Sequence, residues 1–176
     1  MNNHDYKPVL NFWFETLSVK DWYKKDPDLD QTIATQFLEI HRAVASGECS
    51  HWRETAKGAL AEIIVLDQFS RNMFRDTEKA FAFDNLALFL AQFAIANDQD
   101  TSLSSMEKNF LYMPYMHSES KKIQAQSITL FGQTNSFATE HKAVIDRFGR
   151  FPHRNHILKR QTTEEESLFL QQHTGW

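Results

Sequence analysis

The sequence predicts an all-α fold of about eight to nine helices in a single domain covering residues 1–176. Apolar residues recur at helical spacing in nearly every segment, and no period-two alternation of the kind that marks a strand is found. Only five Gly and four Pro punctuate 176 residues, too few for a turn-rich β architecture. Apolar residues make up 41% of the chain and fifteen of them are Phe, which at this length suffices for a core without a disulfide or a structural metal.

Taken in order, the pattern places a first helix near residues 6–16 with Leu10, Trp13, Phe14 and Leu17 inward, and then a turn containing Trp22 that ends at Pro27. A second helix, Asp30 to Ala45, stops at Gly47 as a C-terminal cap. The third runs from about Trp52 to Arg71 with Leu60, Ile63, Ile64 and Asp67 on one face, and the fourth from about Glu78 to Asn97. Ser104 and Glu107 have capping-box spacing and open a fifth helix that Pro114 ends or kinks. The sixth covers about Ser120 to Phe131. The seventh, about Ser136 to Phe148, carries Phe137, His141, Val144, Ile145 and Phe148 on a stripe and stops at Gly149. Pro152 opens a short eighth helix, and Thr163 with Glu166 forms a second capping box before the terminal one. Short connections favour antiparallel hairpins.

The lone Cys49 excludes an internal disulfide. With no basic-then-apolar leader in Met1 to Phe14, this fits a reducing cytoplasm. The most apolar run, LALFLAQFAIA, is too short for a bilayer and reads as a buried central helix, so no membrane is expected. Formal net charge is −4, yet Arg147, Arg150, Arg154, Lys159 and Arg160 crowd one stretch that has no acid. The remainder is therefore strongly acidic, which favours pairing within the molecule. An acidic chain with one short basic patch is not expected to bind nucleic acid.

Three segments combine polar groups with inward positions. In LDQFSRNMFRD, Asp67 points with the apolar stripe and Arg71 follows one turn later on the same face. A buried Asp67 needs a cation, and Arg150 or Arg154 is the expected partner, since a guanidinium offers a two-donor fork. In YMPYMHSE, His117 and Glu119 stand two apart in a helix-to-helix turn, and His141 or His153 supplies a third polar group. No strict ligand spacing links them. No tightly held metal and no cofactor is expected, although His153 and His156 are three apart. In RFGRFPHRNHILKR, a helix starting at Pro152 turns its first N–H groups outward, and with Arg150, His153 and Arg154 they would receive an anion. An acid from an earlier helix would serve equally.

The stretches VLDQFSRNMFR (Val65 to Arg75), KAFAFD (Lys79 to Asp84), FLYMPYMHSES (Phe110 to Ser120) and RFGRFPHRNHIL (Arg147 to Leu158), with VLNFWF (Val9 to Phe14), resemble the bacterial family called domain of unknown function 924. Together they span most of the chain in that family's order. The resemblance implies an all-helical, tetratricopeptide-like fold of stacked helix pairs and implies no activity. Three positions depart from the family's pattern: Ser70 for the usual Pro, Lys159 for the usual Gly, and His156 for an apolar or small residue. Setting His156 aside leaves Asp67, Arg71, Asn72, His117, Glu119, His141, Arg150, His153, Arg154 and Asn155 as the expected pocket.

The expected function is a binding module for a small anionic ligand or an acidic peptide end. The alternative is a hydrolase in which His117, His141 or His153 is the general base, Glu62, Asp67 or Glu119 orients it, and Arg150 with Arg154 stabilises negative charge. A third reading makes the polar network structural only. No nucleophile elbow or glycine-rich phosphate loop is present to favour catalysis.

Overall fold

The computed structural model describes residues 5–173. The two ends of the expected 1–176 domain, residues 1–4 (the start of the Met1 to Phe14 stretch) and 174–176, lie outside the described residues. Every regular element among those described is helical. The chain divides into two compact units: residues up to 75 together with 79–114, and residues 76–78 together with 115 onward.

In the first unit, α1 (Lys7–Asn11) continues as one π-helical turn, Phe12–Thr16, before α2 (Val19–Tyr23). The wider turn puts Phe12 and Trp13 in the core beside Val9 and leaves Leu10, Phe14 and Leu17 half-buried, a shift from the expected face. The third helix, α3 (Pro27–Ala45), begins three residues earlier than its periodicity indicated. Pro27 is its first residue, and the Asp26 carboxylate caps the N–H groups of Asp28 and Leu29 at 3.1 and 3.4 Å.

The expected third helix is in fact four pieces. A 3-10 turn, Ser50–Glu54, leads to α4 (Ala56–Ile64), a second π-helical turn, Val65–Phe69, and α5 (Ser70–Met73). The break at its head has a steric cause: a Cβ on Gly58 would sit 2.0 Å from the Trp52 carbonyl oxygen, so only glycine lets the turn close on α4. Every residue from Gly58 to Ser70 is buried. This segment, rather than the apolar LALFLAQFAIA run, is the central helix. That run lies in α6 (Asp84–Ala96), which packs on α4 through Ala87, Leu90, Ala91 and Ala94 while Phe89 and Phe93 stay 58% and 42% exposed. Counted from Glu78 to Ala96 it has the length and mean hydropathy of a candidate membrane span (19 residues, 1.3), but it is interrupted by turn residues after the 3-10 segment Glu78–Phe81.

The core of this unit is aromatic. Trp13 meets Phe69 and Phe110 edge-on at centroid distances of 5.7 and 5.4 Å, and Phe37 lies 4.9 Å from Phe69. Trp22 stands 4.9 Å from Phe110 and donates its indole N–H to the Trp13 carbonyl at 2.9 Å. The next helix, α7 (Ser105–Met116), starts at the expected capping box, Ser104 with Glu107. Pro114 does not end it. The proline lies in the last turn, where its missing N–H costs a single helical bond, and the helix continues to Met116.

In the second unit, α8 (Lys121–Phe131) and α9 (Ser136–Phe148) form a hairpin across a four-residue connection. Gly149, at φ 71°, stops α9 at the predicted residue. A strap of residues 149–163 follows, helical only at the 3-10 turn Pro152–Arg154, and leads to α10 (Glu164–Gln172). Val144, Ile145 and Phe151 form the core, with Phe148 and Phe169 packed against it.

Candidate functional site: a basic cluster closed on an internal carboxylate

The expected pocket residues fall into two clusters, one in each unit. Asp67, Arg71 and Asn72 belong to the first. Asp67 is carried into the interior by the π-helical turn and is fully buried, as its place on the apolar stripe implied. Its cation is Arg71 and not the expected Arg150, which pairs with Glu166: Arg71 lies 3.3 Å from the Asp67 carboxylate and bonds the Asp67 carbonyl at 3.0 Å. The same guanidinium forks onto Asp84 at 2.9 and 3.2 Å, and Gln68 donates to Asp67 from the next position. Burial works against the Arg71 charge, but Asp67 and Asp84 outweigh it and raise its pKa. Asn72 turns away, joining Arg75 on Asp30 of α3 at 2.8 Å each.

Nearby, His41 is buried with its Nε2 2.8 Å from the Ser70 hydroxyl and with Phe74 and Phe83 edge-on at 5.2 Å. Ser70, one of the departures from the family's pattern, thus hydrogen-bonds a histidine. Burial pushes the His41 pKa down to about 4. The unfolded chain therefore takes up a proton near pH 6.5 while the folded one does not, so stability falls as pH drops from 6.5 toward 4. His141, discussed below, acts in the same direction. Unfolding free energies from urea denaturation are expected to decline between pH 6.5 and 4.5 by up to about 1.4 kcal/mol per pH unit for each histidine. Glu119 and Glu166, whose folded pKa values are depressed, add their own losses only below about pH 4.5. His41→Gln should flatten the upper window, and an unchanged slope would show that His41 titrates normally.

The second cluster holds His117, Glu119, His141, His153 and Arg154, all gathered around the end of α9 and the strap. His141, on α9, lies 5.5 Å from the Phe151 ring, His153 lies 5.6 Å from the same ring on the strap, and the Arg154 guanidinium stacks 4.6 Å over it. His117 follows α7, with its ring 6.3 Å from His141 and its carbonyl accepting from Arg154 at 3.1 Å. His141 Nδ1 is 2.7 Å from the Phe137 carbonyl, which can only accept, so Nδ1 carries the proton. Burial first, then the charges of His117, Arg154 and His153, hold its pKa down to about 3. At neutral pH it is an uncharged imidazole with an accepting Nε2.

Glu119, in the loop ahead of α8, closes the cluster. One oxygen accepts from the Phe151 N–H at 2.9 Å and from Arg160 at 2.8 Å; the other accepts from the second arm of the Arg160 fork at 2.8 Å. Burial pushes this carboxyl up. The Arg160 fork, the Phe151 N–H and the Arg154 charge outweigh it and hold the pKa below the usual range.

Arg150 and Asn155, also expected at the pocket, turn to a different acid. Arg150 donates to both oxygens of Glu166 at 2.6 and 2.8 Å, and Asn155 adds a bond at 3.2 Å. Glu166 is buried, and Arg150 above all holds its carboxyl down to about 2. These residues dock α10. Arg147 pairs with Glu165 at 2.7 Å and Lys159 with Glu78 at 2.7 Å, so Arg147, Arg150, Lys159 and Arg160 each meet an acid of the same unit, while Arg154 bonds the His117 carbonyl. Sequence reasoning missed Arg160, which lies in the non-helical part of the strap ahead of α10, and saw Glu166 only as a capping residue. Among the described residues no three His, Cys, Asp or Glu side chains come together as metal ligands.

The sequence profile of a family described as bacterial protein of unknown function (DUF924) matches residues 9–174. A solved structure of a protein of unknown function from Agrobacterium tumefaciens is 36% identical, covers 95% of this chain and 97% of its own, and superposes with a TM-score of 0.90. No curated protein matches.

Proposed function

The chain belongs to the bacterial family of unknown function DUF924, and from that premise we propose that its second unit is a binding module for a small anion or an acidic peptide end. The receptor is the set of donors around Glu119: the Arg160 fork, the Phe151 N–H and the nearby Arg154. One observation carries this reading. Those donors already receive a carboxylate, in the bidentate geometry that guanidinium groups offer to carboxylates and phosphates. A ligand would bind by displacing Glu119, whose side chain is 24% exposed and sits in a short loop.

The expected result is a rise in unfolding temperature with millimolar phosphate, sulfate or small carboxylates, as mass action requires of anything that binds only the folded state. Arg160→Gln and Arg154→Gln should each abolish that rise, measured against its own ligand-free baseline. No response from the unmodified protein to any of these anions would end the proposal. In the hydrolytic alternative His141 would be the base, but a pKa pushed down to about 3 leaves it a weak one. Turnover on a panel of esters and phosphoesters would move the reading to an enzyme.

A further inference from the structure

The second unit also holds a cavity lined by α9 and α10, which shares only His153 with the cluster around Glu119. It encloses about 230 Å³, below the roughly 300–1,000 Å³ of pockets for drug-sized ligands. That leaves space for a single ring with a short substituent. Ala143, Val144 and Leu170 supply its aliphatic lining, and Phe148 and Phe169 its aromatic wall, their rings 5.0 Å apart. His173 extends that wall, tilted 33° from Phe169 at a centroid distance of 4.5 Å.

The rim is basic. Arg147, His153 and His173 stand against one acid, Glu140. The Arg147 guanidinium lies 4.7 Å over Phe148 and 6.0 Å from Phe169, so a ring entering the cavity would meet the aromatic wall and the cation together. Arg147 is paired with Glu165, but the two side chains are 54% and 61% exposed. An ion pair this wet is worth about 0–1 kcal/mol and exchanges readily for another carboxylate.

We infer that this cavity binds a small aromatic carboxylate, with the ring against Phe148 and Phe169 and the carboxylate on Arg147. It is separate from the donors around Glu119 and does not depend on them. Titration of phenylacetate into the full chain, followed by amide NMR, tests the assignment. Phenylacetate should shift amides of α9 and α10, while acetate and benzyl alcohol, each lacking one half of the recognition, should bind at least about tenfold more weakly. Ala143→Trp, a filling change at an exposed position of α9, should eliminate the shifts. Arg147→Gln, also exposed, should weaken binding about tenfold and serves as the second variant if the tryptophan disturbs folding. Glu119→Gln should leave the phenylacetate shifts on α9 and α10 unchanged, which separates failure here from failure of the anion site. Equal binding of acetate and phenylacetate, or undiminished binding by both cavity variants, would overturn the inference.

Discussion

Replacing Arg53 by alanine is expected to lower stability by about 3–5 kcal/mol, the usual cost of stranding a buried charge. Its partner, Glu62, has a fully buried side chain on α4 and accepts from Arg53 at 2.7 and 3.1 Å. Burial pushes the Glu62 carboxyl up, and Arg53 is the main group opposing that rise. Without Arg53 the folded chain must hold either a lone anion or a proton that the unfolded chain has already released at neutral pH. The penalty should therefore be largest near pH 7 and shrink as pH falls toward the ordinary glutamate range. Urea denaturation at pH 7 and pH 5 measures both quantities. Arg53→Met combined with Glu62→Leu should recover most of the loss, because a packed apolar pair removes the desolvation cost along with the attraction. A single-variant loss under about 1 kcal/mol would mean that water reaches Glu62.

The second large effect is expected at Glu119. This side chain competes for its own receptor: the Phe151 N–H and both arms of Arg160 are engaged by its carboxylate at 2.8–2.9 Å. Glu119→Gln keeps the shape but removes the charge that holds Arg160, so an external anion no longer has to displace a carboxylate. A hydrogen bond to a charged group contributes about 1.5–3 kcal/mol, so relieving even one of these contacts corresponds to a gain of about tenfold or more in anion affinity. The same change should lower ligand-free stability modestly, since Phe151 and Arg160 lose their best acceptor. Gain of binding with loss of stability distinguishes an internal competitor from a residue that only holds the fold.

Local signals in the sequence translated closely into structure. The bounds of α9, its stop at Gly149 and the boxes at Ser104/Glu107 and Thr163/Glu166 were legible because each depends on residues within one helical turn. The π-helical turns at Phe12–Thr16 and Val65–Phe69 were not. A continuous apolar run has no phase from which an extra residue per turn can be read, and so Leu10 and Phe14 are only half-buried where full burial is expected, although Phe14 still meets Phe110 edge-on at 5.5 Å. The LALFLAQFAIA run is the most apolar in the sequence, yet α6 buries only Ala87, Leu90, Ala91 and Ala94 and shows Phe89 and Phe93 to solvent. Composition reports how apolar a helix is, not which side its neighbour covers.

The site divided in the same way. Burial of Asp67 and the presence of Arg71 beside it followed from i, i+4 spacing. The excess of acid elsewhere correctly pointed to internal pairing of the basic stretch, but which acid meets which cation depends on the path of the strap from Gly149 to Thr163, where no periodicity applies. Arg150 reaches Glu166 and Arg160 reaches Glu119 across 16 and 41 residues of sequence, separations that spacing rules do not address.

The central claim, that the donors around Glu119 form an anion receptor filled by the protein's own carboxylate, is tested most directly by calorimetric titration of phosphate into the unmodified protein and into Glu119→Gln at one pH and salt concentration. The account predicts weak, millimolar-range binding to the former and binding at least about tenfold tighter to the latter, with the gain lost again when Arg160→Gln is added. Equal affinities in the first two proteins, or no heat from Glu119→Gln at any phosphate concentration that leaves it folded, would contradict it and leave the Glu119–Arg160 fork as a structural clasp alone.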